Sequence, residues 1–579
     1  MQHQIRSKRS AYSASAIFIS FTILLQFLLF LPLYLSRMDE GSFFPSLHLF
    51  PTSLIARSNP DMFRWSLDFA FIICLCLWLK KWYSRSILLT LITFVYLLIF
   101  VFQFYYYFVW KIYGEIPIWS YDLALLKRVF PVFMKTMGIS PLLLFIGAIL
   151  IVSILFFFFR KLFKWLFKVS ESLGAKSIAF ISLIFFIIPL IFKLSFPHTR
   201  DGNQVKNSLG WIIENMNTTF APSRVRPLPD LSHHIPYQDY SNLKLKSKPD
   251  IYLIFIEAYG SVAGTVPPYD QLYAEQLQSM NDSLSAHQWH SATALSNSTI
   301  LGGRSWLGFT TLLSGIRIDN HPAYETLIQQ HVGFPHLITT LNQQGYQTYR
   351  LNTMANPGKT FTNLDSIAGL YFQTAHWTKF NDIPYQGYRY DYMGGIPDQY
   401  ALNYWYDDVL DKKKGPNFLF FITLNTHAPF YLPPPIVENW KDLDAIKISP
   451  HGTTRLEQGP PIKRYSKEVS YILNVLQQFI LQKADDHSLF ILLGDHQPAG
   501  MEYMLNGKTD TYATPIHIVS KDESWIKLCI QHGFTNGMLP EFKPNSPLKH
   551  EGFYSLFMSM WAQKDSTDFK PEYLPDGIK

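Results

Sequence analysis

The chain has 579 residues, of which 48% are hydrophobic and 16% aromatic, and its formal net charge is +7. This length exceeds that of one average domain, so two or three structural units are expected. The positive charge does not indicate nucleic-acid binding, because the basic residues of the first third cluster in short loops between apolar runs.

Five apolar runs before residue 195 predict membrane-spanning helices. They cover residues 16–35, 65–79, 87–110, 141–159 and 178–192. Runs of about 18 or more apolar residues are long enough to cross a bilayer. No small-residue cleavage site follows the first run and further runs come after it, so we do not expect a cleaved signal peptide. The prediction is a transmembrane domain with five helices over residues 1–193.

The distribution of basic residues predicts the orientation of these helices. Arg6 precedes the first run, Lys80 lies between the second and third, and Lys164 lies between the fourth and fifth. Lys127 and Arg128 in the third loop weaken this alternation without reversing it. Cytoplasmic loops carry the excess of Lys and Arg. The expected localisation is therefore a bacterial cytoplasmic (inner) membrane, with the chain after residue 192 on the extracytoplasmic, periplasmic side.

The rest of the chain divides into a linker and a second domain. Residues 194–249 are polar and rich in proline, and their amphipathic stretch 211–216 is equally compatible with the membrane surface and with a docking helix. From residue 250 to 579, β-rich runs alternate with helical ones, which indicates an α/β domain with a mostly parallel central sheet. Predicted strands are 251–256, 346–351, 418–424 and 489–493, and predicted helices are 272–286, 306–314, 334–344 and 466–482. Cys529 is the only cysteine here, which excludes an intradomain disulfide.

Acidic and imidazole side chains follow two of these strands directly. Glu257 comes after IYLIFI, and Asp495 and His496 come after SLFILLG. Ligands of open α/β sheets bind outside the carboxyl ends of the strands, so these side chains are expected to meet. A carboxylate at the end of an apolar strand is costly to bury unless it is paired or bound to a metal. Buried pairing remains an alternative to a divalent-metal site.

Ser305 is the candidate nucleophile. In LGGRSWLGFTTLLSG it opens a predicted helix, where free N–H groups and the helix dipole favour an anion. A serine in this place is commonly an N-cap with no catalytic role. Thr299 and Thr310 are poorer candidates, because neither lies at the junction of loop and helix.

Two further residues are candidates for binding the substrate. His427, in LNTHAPF, is suited to donate a hydrogen bond to a phosphoryl oxygen, or else packs within its loop. Arg350, after GYQTY, has the planar fork that binds phosphate, or else forms a salt bridge at the end of its strand.

Taken in order, the motifs strand–Glu257, glycine loop–Ser305, strand–NTH and strand–GDHQP resemble the sulfatase-like branch of the alkaline phosphatase superfamily. With five spans in front, the chain looks like lipoteichoic acid synthases and the phosphoglycerol or phosphoethanolamine transferases. The resemblance implies one divalent metal ion held by Glu257, Ser305, Asp495 and His496, with His427 in the substrate phosphate site. Mn²⁺ and Zn²⁺ both suit this donor set.

The chain also departs from these families. Lipoteichoic acid synthases carry a threonine nucleophile in a Lys-Thr-Ser setting, where this chain reads Gly303-Arg304-Ser305-Trp306. The formylglycine motif of sulfatases is missing, which disfavours sulfate-ester hydrolysis by that route. The cysteine content cannot form the disulfides of many phosphoethanolamine transferases. The segment 359–363 lacks the arginine that lipoteichoic acid synthases place there.

The resemblance implies a membrane transferase that moves a phosphoglycerol or phosphoethanolamine group through a covalent Ser305 intermediate. The expected partners are a membrane phospholipid as donor and an envelope glycan or lipid as acceptor, without nucleic acid. A sulfatase-like phosphodiesterase with water as acceptor and a catalytically silent lipid-sensing protein are the rivals.

Overall fold

The computed structural model describes most of the chain after residue 235 and most of the apolar helices before it. The described residues are 2–32, 65–78, 86–113, 117–119, 121–123, 140–195, 205–206, 208–220, 228–231, 235–354, 367–390, 394–412, 415–428, 430, 433–447, 459–505, 507–546 and 548–578. The segment 359–363 and the ends of the predicted spans at 33–35 and 79 lie outside these ranges.

The described residues group into two compact units, the first made mainly of residues up to 222 and the second mainly of residues 223–579. The first unit is helical. Its helices are α1 (Gln2–Leu29), α2 (Leu67–Trp78), α3 (Ser86–Tyr113), α4 (Pro141–Ser170), α5 (Ala175–Ser195) and α6 (Ser208–Phe220). Two short strands, β1 (Trp65–Ser66) and β2 (Val205–Lys206), pair in parallel. The predicted division at residues 193 and 249 stays a prediction.

Three described helical segments are long and apolar enough to cross a membrane. They are Ser86–Val109 in α3, Leu142–Ser170 in α4 and Ala175–Ser195, which is α5. The apolar segments Ser13–Leu29 and Leu67–Trp78, which overlap the first two predicted spans, are shorter than this. Apolar N-terminal helices are thus confirmed, and the count of five spans stays a prediction.

The second unit alternates strands and helices around one sheet. Its strands are β3 (Asp250–Ile256), β4 (His290–Asn297), β5 (Gln347–Asn352), β6 (His376–Thr378), β7 (Asn417–Ile422), β8 (Ser488–Gly494), β9 (Ala513–Ser520), β10 (Thr535–Asn536) and β11 (Leu548–Lys549). Its helices are α7 (Ile235–Gln238), α8 (Tyr269–Ala286), α9 (Ser305–Ser314), α10 (His321–Gln330), α11 (Leu337–Gln343), α12 (Asp398–Tyr404), α13 (Pro461–Lys483), α14 (Glu523–Gln531) and α15 (His550–Lys564).

The sheet is mixed, whereas the sequence predicted a mostly parallel one. Its order is β10-β4-β9-β8-β3-β7-β5-β6, with β11 beside β4. Strands β8, β3, β7, β5 and β6 run parallel, while β9 is antiparallel to both β8 and β4. Because β9 is antiparallel to both of its neighbours, β4 and β8 run in the same direction. The carboxyl ends of β3, β4, β7 and β8 therefore lie at one edge.

The side chains of β3 show that the sheet is buried on both faces. Ile251, Leu253 and Phe255 pack into one hydrophobic cluster, and Tyr252 and Ile254 pack into a second cluster on the other face. Successive side chains of a strand point to opposite faces. A strand covered on both faces reads as a continuous apolar run, which is the pattern of IYLIFI.

Stability should depend on pH through buried histidines such as His336. This imidazole is fully buried, and its Nε2 lies 2.9 Å from the carbonyl oxygen of Tyr371. Burial lowers the pKa of His336 from 6.5 to about 4. Between these pH values the unfolded chain binds more protons than the folded one, so the free energy of unfolding falls as pH is lowered from about 6.5 to about 4, by up to about 3 kcal/mol.

The corresponding measurement compares urea midpoints at pH 7 and pH 4.5 for the protein and for His336→Gln. The variant should be less stable at pH 7 but lose less on acidification, since it lacks this titrating group. Equal losses in both proteins would contradict a neutral, buried His336.

Candidate active site

Neighbouring strand ends bring the predicted acidic residues together. Strands β3 and β8 pair in parallel with Ile256 opposite Gly494, so Glu257 and Asp495 each follow directly at the same edge. His496 comes next in the chain. A ligand atom from each of Glu257, Asp495 and His496 lies within 4.8 Å of the others, and all three residues are buried.

The Ser305 hydroxyl completes this cluster. Its Oγ donates a 2.9 Å hydrogen bond to Glu257 Oε2 and lies 3.1 Å from His496 Nε2. His496 Nε2 is also 3.4 Å from Glu257 Oε1 and 3.6 Å from Asp495 Oδ2. One hydroxyl, one imidazole and two carboxylates thus converge on a single point.

The two oxygens of Asp495 have different surroundings. Oδ1 accepts hydrogen bonds from the backbone N–H groups of Ala258 and His496, each at 2.8 Å. Oδ2 is buried, and no hydrogen-bond donor among the described residues reaches it. A buried carboxylate oxygen without a donor needs compensation from an ion or a proton. An oxygen-rich set with one imidazole nitrogen suits a divalent cation, so the residues present fit the metal that the resemblance implies.

Burial and mutual charge shift the pKa values of the cluster. Burial, and next the Glu257 charge, raise the pKa of Asp495 to about 7. Burial alone would raise the pKa of Glu257 and lower that of His496. The charge of His496 outweighs burial at Glu257, so the pKa of Glu257 falls. The charges of Asp495 and then Glu257 outweigh burial at His496, so the pKa of His496 rises. A divalent cation bound by these side chains would compete with protons for the same oxygen and nitrogen atoms.

The backbone around Ser305 fixes the hydroxyl in this place. Gly303 and Arg304 both adopt left-handed conformations, with φ of 62° and 59°, and Arg304 occupies the N-cap position of α9 without a side-chain cap. Ser305 is the first helical residue, and its hydroxyl bonds to the acidic cluster. Gly308, one turn on, allows close packing, since a Cβ there would lie 3.1 Å from the Asp495 carbonyl oxygen. Ser305 is therefore not the N-cap of this helix.

The two alternative hydroxyls lie elsewhere. Thr299 Oγ1 donates to the carbonyl oxygen of Ile318 at 2.9 Å. Thr310 is fully buried within α9. Neither forms a hydrogen bond with Glu257 or His496 in the described structure, so of these three hydroxyls only that of Ser305 bonds to the cluster.

His427 lies on the loop after β7, the strand that neighbours β3. The first residue of this loop, Thr423, accepts the Glu257 N–H at 3.1 Å through its Oγ1. After burial and His496, the charge of His427 is a further influence on the pKa of Glu257, which it lowers. Asp398, which is fully buried, accepts the N–H groups of Leu424 and Asn425 at 2.8 and 2.9 Å and so holds this loop.

Arg350 lies within the sheet rather than at its edge. It is opposite Phe420 on β7, which is itself opposite Leu253, four residues before Glu257. Four strand residues span about 13 Å. The guanidinium packs over three aromatic rings, 4.3 Å from Trp377, 5.5 Å from Phe372 and 5.7 Å from Phe420. The structure therefore does not place it with the other candidates, because cation–π stacking holds it in the sheet.

The sequence analysis did not predict the residues whose side chains bond to the backbone of the site loops. Asp398, Thr423 and Tyr465 bond to the backbone of the two loops that carry Glu257 and His427. Their partners are 26 to 207 residues away in the chain. No local pattern announces such contacts. Gln497, directly after His496, could have been found from its place in the motif, and its amide donates to Ser261 Oγ at 2.9 Å.

The sequence itself carries a family match over this region. Residues 269–520 match the family model described as sulfatase. The match spans Ser305, His427, Asp495 and His496, and the predicted resemblance to sulfatase-like proteins is confirmed. No curated protein sequence is significantly similar to the chain.

Three solved structures are similar to this chain. One is lipooligosaccharide phosphoethanolamine transferase A from Neisseria meningitidis, at 12% identity over 92% of this chain and 95% of that one, with a TM-score of 0.47. Another is the lipoteichoic acid synthase LtaP from Listeria monocytogenes, at 14% identity over 60% and 80%, with a TM-score of 0.39. A third is the phosphoglycerol transferase GacH from Streptococcus pyogenes, at 14% identity over 59% and 81%, with a TM-score of 0.34.

Proposed function

We propose that this protein is a metal-dependent phosphotransferase that takes the headgroup phosphate of a membrane phospholipid onto Ser305. The supporting observation is the position of the Ser305 hydroxyl at the start of α9, within hydrogen-bond distance of both Glu257 and His496. The free N–H groups at a helix start favour the anionic phosphoryl group of the donor. The acceptor is the hydroxyl of an envelope glycan or lipid.

The proposed reaction has two balanced steps. Ser305 Oγ attacks the phosphorus, its proton passes toward Glu257 Oε2, and the phosphorus–oxygen bond to diacylglycerol breaks as that oxygen takes up a proton. A serine phosphodiester that carries the headgroup remains. The acceptor hydroxyl then attacks this phosphorus and gives up its proton, the bond to Ser305 Oγ breaks, and Ser305 Oγ takes up a proton to regenerate the hydroxyl. Splitting a displacement between two nucleophiles suits a donor held at the membrane and an acceptor that arrives separately.

In this proposal Glu257, Ser305, Asp495 and His496 hold one Mn²⁺ or Zn²⁺ ion. When bound, such an ion polarises the phosphoryl oxygens and lowers the pKa of the Ser305 hydroxyl. His427, on the neighbouring loop, donates a hydrogen bond to a phosphoryl oxygen. Arg350 is not part of the proposed phosphate site, since its guanidinium lies among aromatic rings within the sheet.

The apolar helices of the first unit favour a lipid donor over a soluble one. The test incubates the purified full chain with Mn²⁺ and a phospholipid labelled in both glycerol backbone and headgroup. Release of diacylglycerol with transfer of the labelled headgroup to an added polyol or glycan supports the proposal. Release with the headgroup phosphate found only in water identifies a phosphodiesterase. Metal binding without any release identifies a catalytically silent protein.

The proposed location of the second unit is outside the cytoplasm, in a bacterial inner membrane. A reporter enzyme that is active only after export, fused after Pro249, should be active, and one fused at Ser172, between α4 and α5, should be inactive. The reason is the alternation of basic loops predicted from the sequence. An inactive fusion at Pro249 would exclude a donor in the outer leaflet.

A further inference from the structure

The backbone turns sharply at Ala258, directly after Glu257. Its φ is 53°, in the left-handed region that residues other than glycine adopt at a cost. This conformation points the Ala258 N–H at Asp495 Oδ1, 2.8 Å away. The turn therefore joins one strand end to the carboxylate of the next, and it orients Glu257 and Asp495 toward each other.

A single hydroxyl on α13 bonds to both sides of this turn. Tyr465 OH donates to the carbonyl oxygen of Ala258 at 2.9 Å and accepts the N–H of Gly260 at 3.1 Å. Tyr465 is fully buried, so no water competes for these bonds. The two bonds hold the left-handed conformation in which the Ala258 N–H reaches Asp495.

The same tyrosine packs against the loop that carries His427. Its ring lies 5.2 Å from that of Phe430, centroid to centroid, in an edge-to-face arrangement. Phe430 is also left-handed, with φ of 58°, and its N–H donates to the carbonyl oxygen of His427 at 3.2 Å. The Tyr465 hydroxyl thus bonds to the turn after Glu257, while the Tyr465 ring packs against the loop that carries His427.

We infer that Tyr465 is a positioning residue that sets metal affinity by holding the Ala258 turn, an inference that rests on the proposed metal site. In the described structure the Tyr465 hydroxyl bonds to the backbone of Ala258 and Gly260 and forms no hydrogen bond with the proposed metal ligands. It acts through the backbone N–H that orients Asp495. Residues behind metal ligands commonly change metal affinity 10- to 100-fold.

The test measures Mn²⁺ affinity of the purified full chain by calorimetric titration. Tyr465→Phe keeps the ring on Phe430 and removes only the hydroxyl, and it should weaken Mn²⁺ binding by about 10-fold. Adding Ala258→Gly to Tyr465→Phe should recover most of this loss, because glycine adopts a positive φ without strain and no longer needs the hydroxyl to hold it. The absorption spectrum of bound Co²⁺ should shift in Tyr465→Phe and return in the double variant.

Tyr346→Phe is the matched control. Its buried hydroxyl donates to the carbonyl oxygen of Pro249 at 2.8 Å, just before the opposite end of the same strand β3. Tyr346→Phe removes a buried tyrosine hydroxyl that also bonds to a backbone carbonyl oxygen. This variant should leave Mn²⁺ affinity within about twofold of the wild type, because the proposed metal site lies at the other end of β3.

The outcomes separate this inference from the proposed function. A wild-type protein that binds neither Mn²⁺ nor Co²⁺ overturns the proposed metal centre itself. Normal wild-type binding with an unchanged Tyr465→Phe overturns the role of Tyr465 alone. A weakened Tyr465→Phe that Ala258→Gly does not restore shows a general loss of packing and overturns the role of the turn.

Discussion

Replacing Ser305 by alanine is expected to reduce headgroup transfer by at least about a thousandfold. The Ser305 hydroxyl is the proposed nucleophile. Neither Thr299 nor Thr310 forms a hydrogen bond with the acidic cluster, so neither is placed to replace Ser305 as nucleophile. Mass spectrometry of the full chain incubated with Mn²⁺ and phospholipid should find a headgroup-phosphate adduct on the peptide that contains Ser305. Ser305→Ala should lack this adduct, and Ser305→Thr should retain some activity because it keeps a hydroxyl.

Thr310→Val is the control for Ser305→Ala. It removes a hydroxyl from the same helix, and the Thr310 Oγ1 atom has no hydrogen-bond partner among the described residues, so little stability should be lost. This variant should transfer at the wild-type rate. A folded Ser305→Ala protein that still transfers the headgroup would exclude covalent catalysis through this residue.

Replacing Asp495 by asparagine is expected to remove most of the bound metal. The substitution keeps the shape of the side chain but removes the charge of the Oδ2 atom, which has no hydrogen-bond donor among the described residues. Loss of one anionic ligand from a four-ligand site should weaken metal binding by about 100-fold or more. This loss exceeds the one expected for a residue that only positions the ligands. Glu257→Gln should act in the same direction. Elemental analysis after dialysis measures the occupancy.

Asp510→Asn is the matched control for the metal site. This aspartate accepts hydrogen bonds from Asn297 and from the backbone of Asn545 and Ser546, none of which is a proposed metal ligand. Its replacement removes one carboxylate from the same domain and should leave the metal content unchanged. Full metal content in both Asp495→Asn and Glu257→Gln would show that the cluster is a buried ion pair, the alternative that the sequence left open.

The amino-acid sequence was enough to predict strands β3, β5, β7 and β8 and the candidate residues after β3 and β8, whereas β4 and β9 were not among the predicted strands. Strands β3 and β8 are covered on both faces, so polar residues do not alternate with apolar ones along them. The continuous apolar runs before Glu257 and Asp495 therefore predicted both strands. The boundaries of α9 and the end of α13 were predicted to within one residue, whereas α13 begins at Pro461, five residues before the predicted start. Because parallel strands end at one edge, the positions of Glu257, Asp495 and His496 directly after apolar runs were enough to assign them to one region.

The remaining features could not be predicted from the sequence, because they depend on contacts between residues far apart in the chain. Strand β9 makes the sheet mixed, and its direction depends on pairing with β8 and β4 rather than on its own residues. Arg350 has the chemistry of a phosphate ligand, but register places it among aromatic rings. Whether Ser305 caps its helix or faces the acidic cluster depends on the left-handed Arg304 and on Gly308 packing against the Asp495 strand end. The support from Tyr465 crosses 207 residues of sequence, and only folding brings that hydroxyl to Ala258.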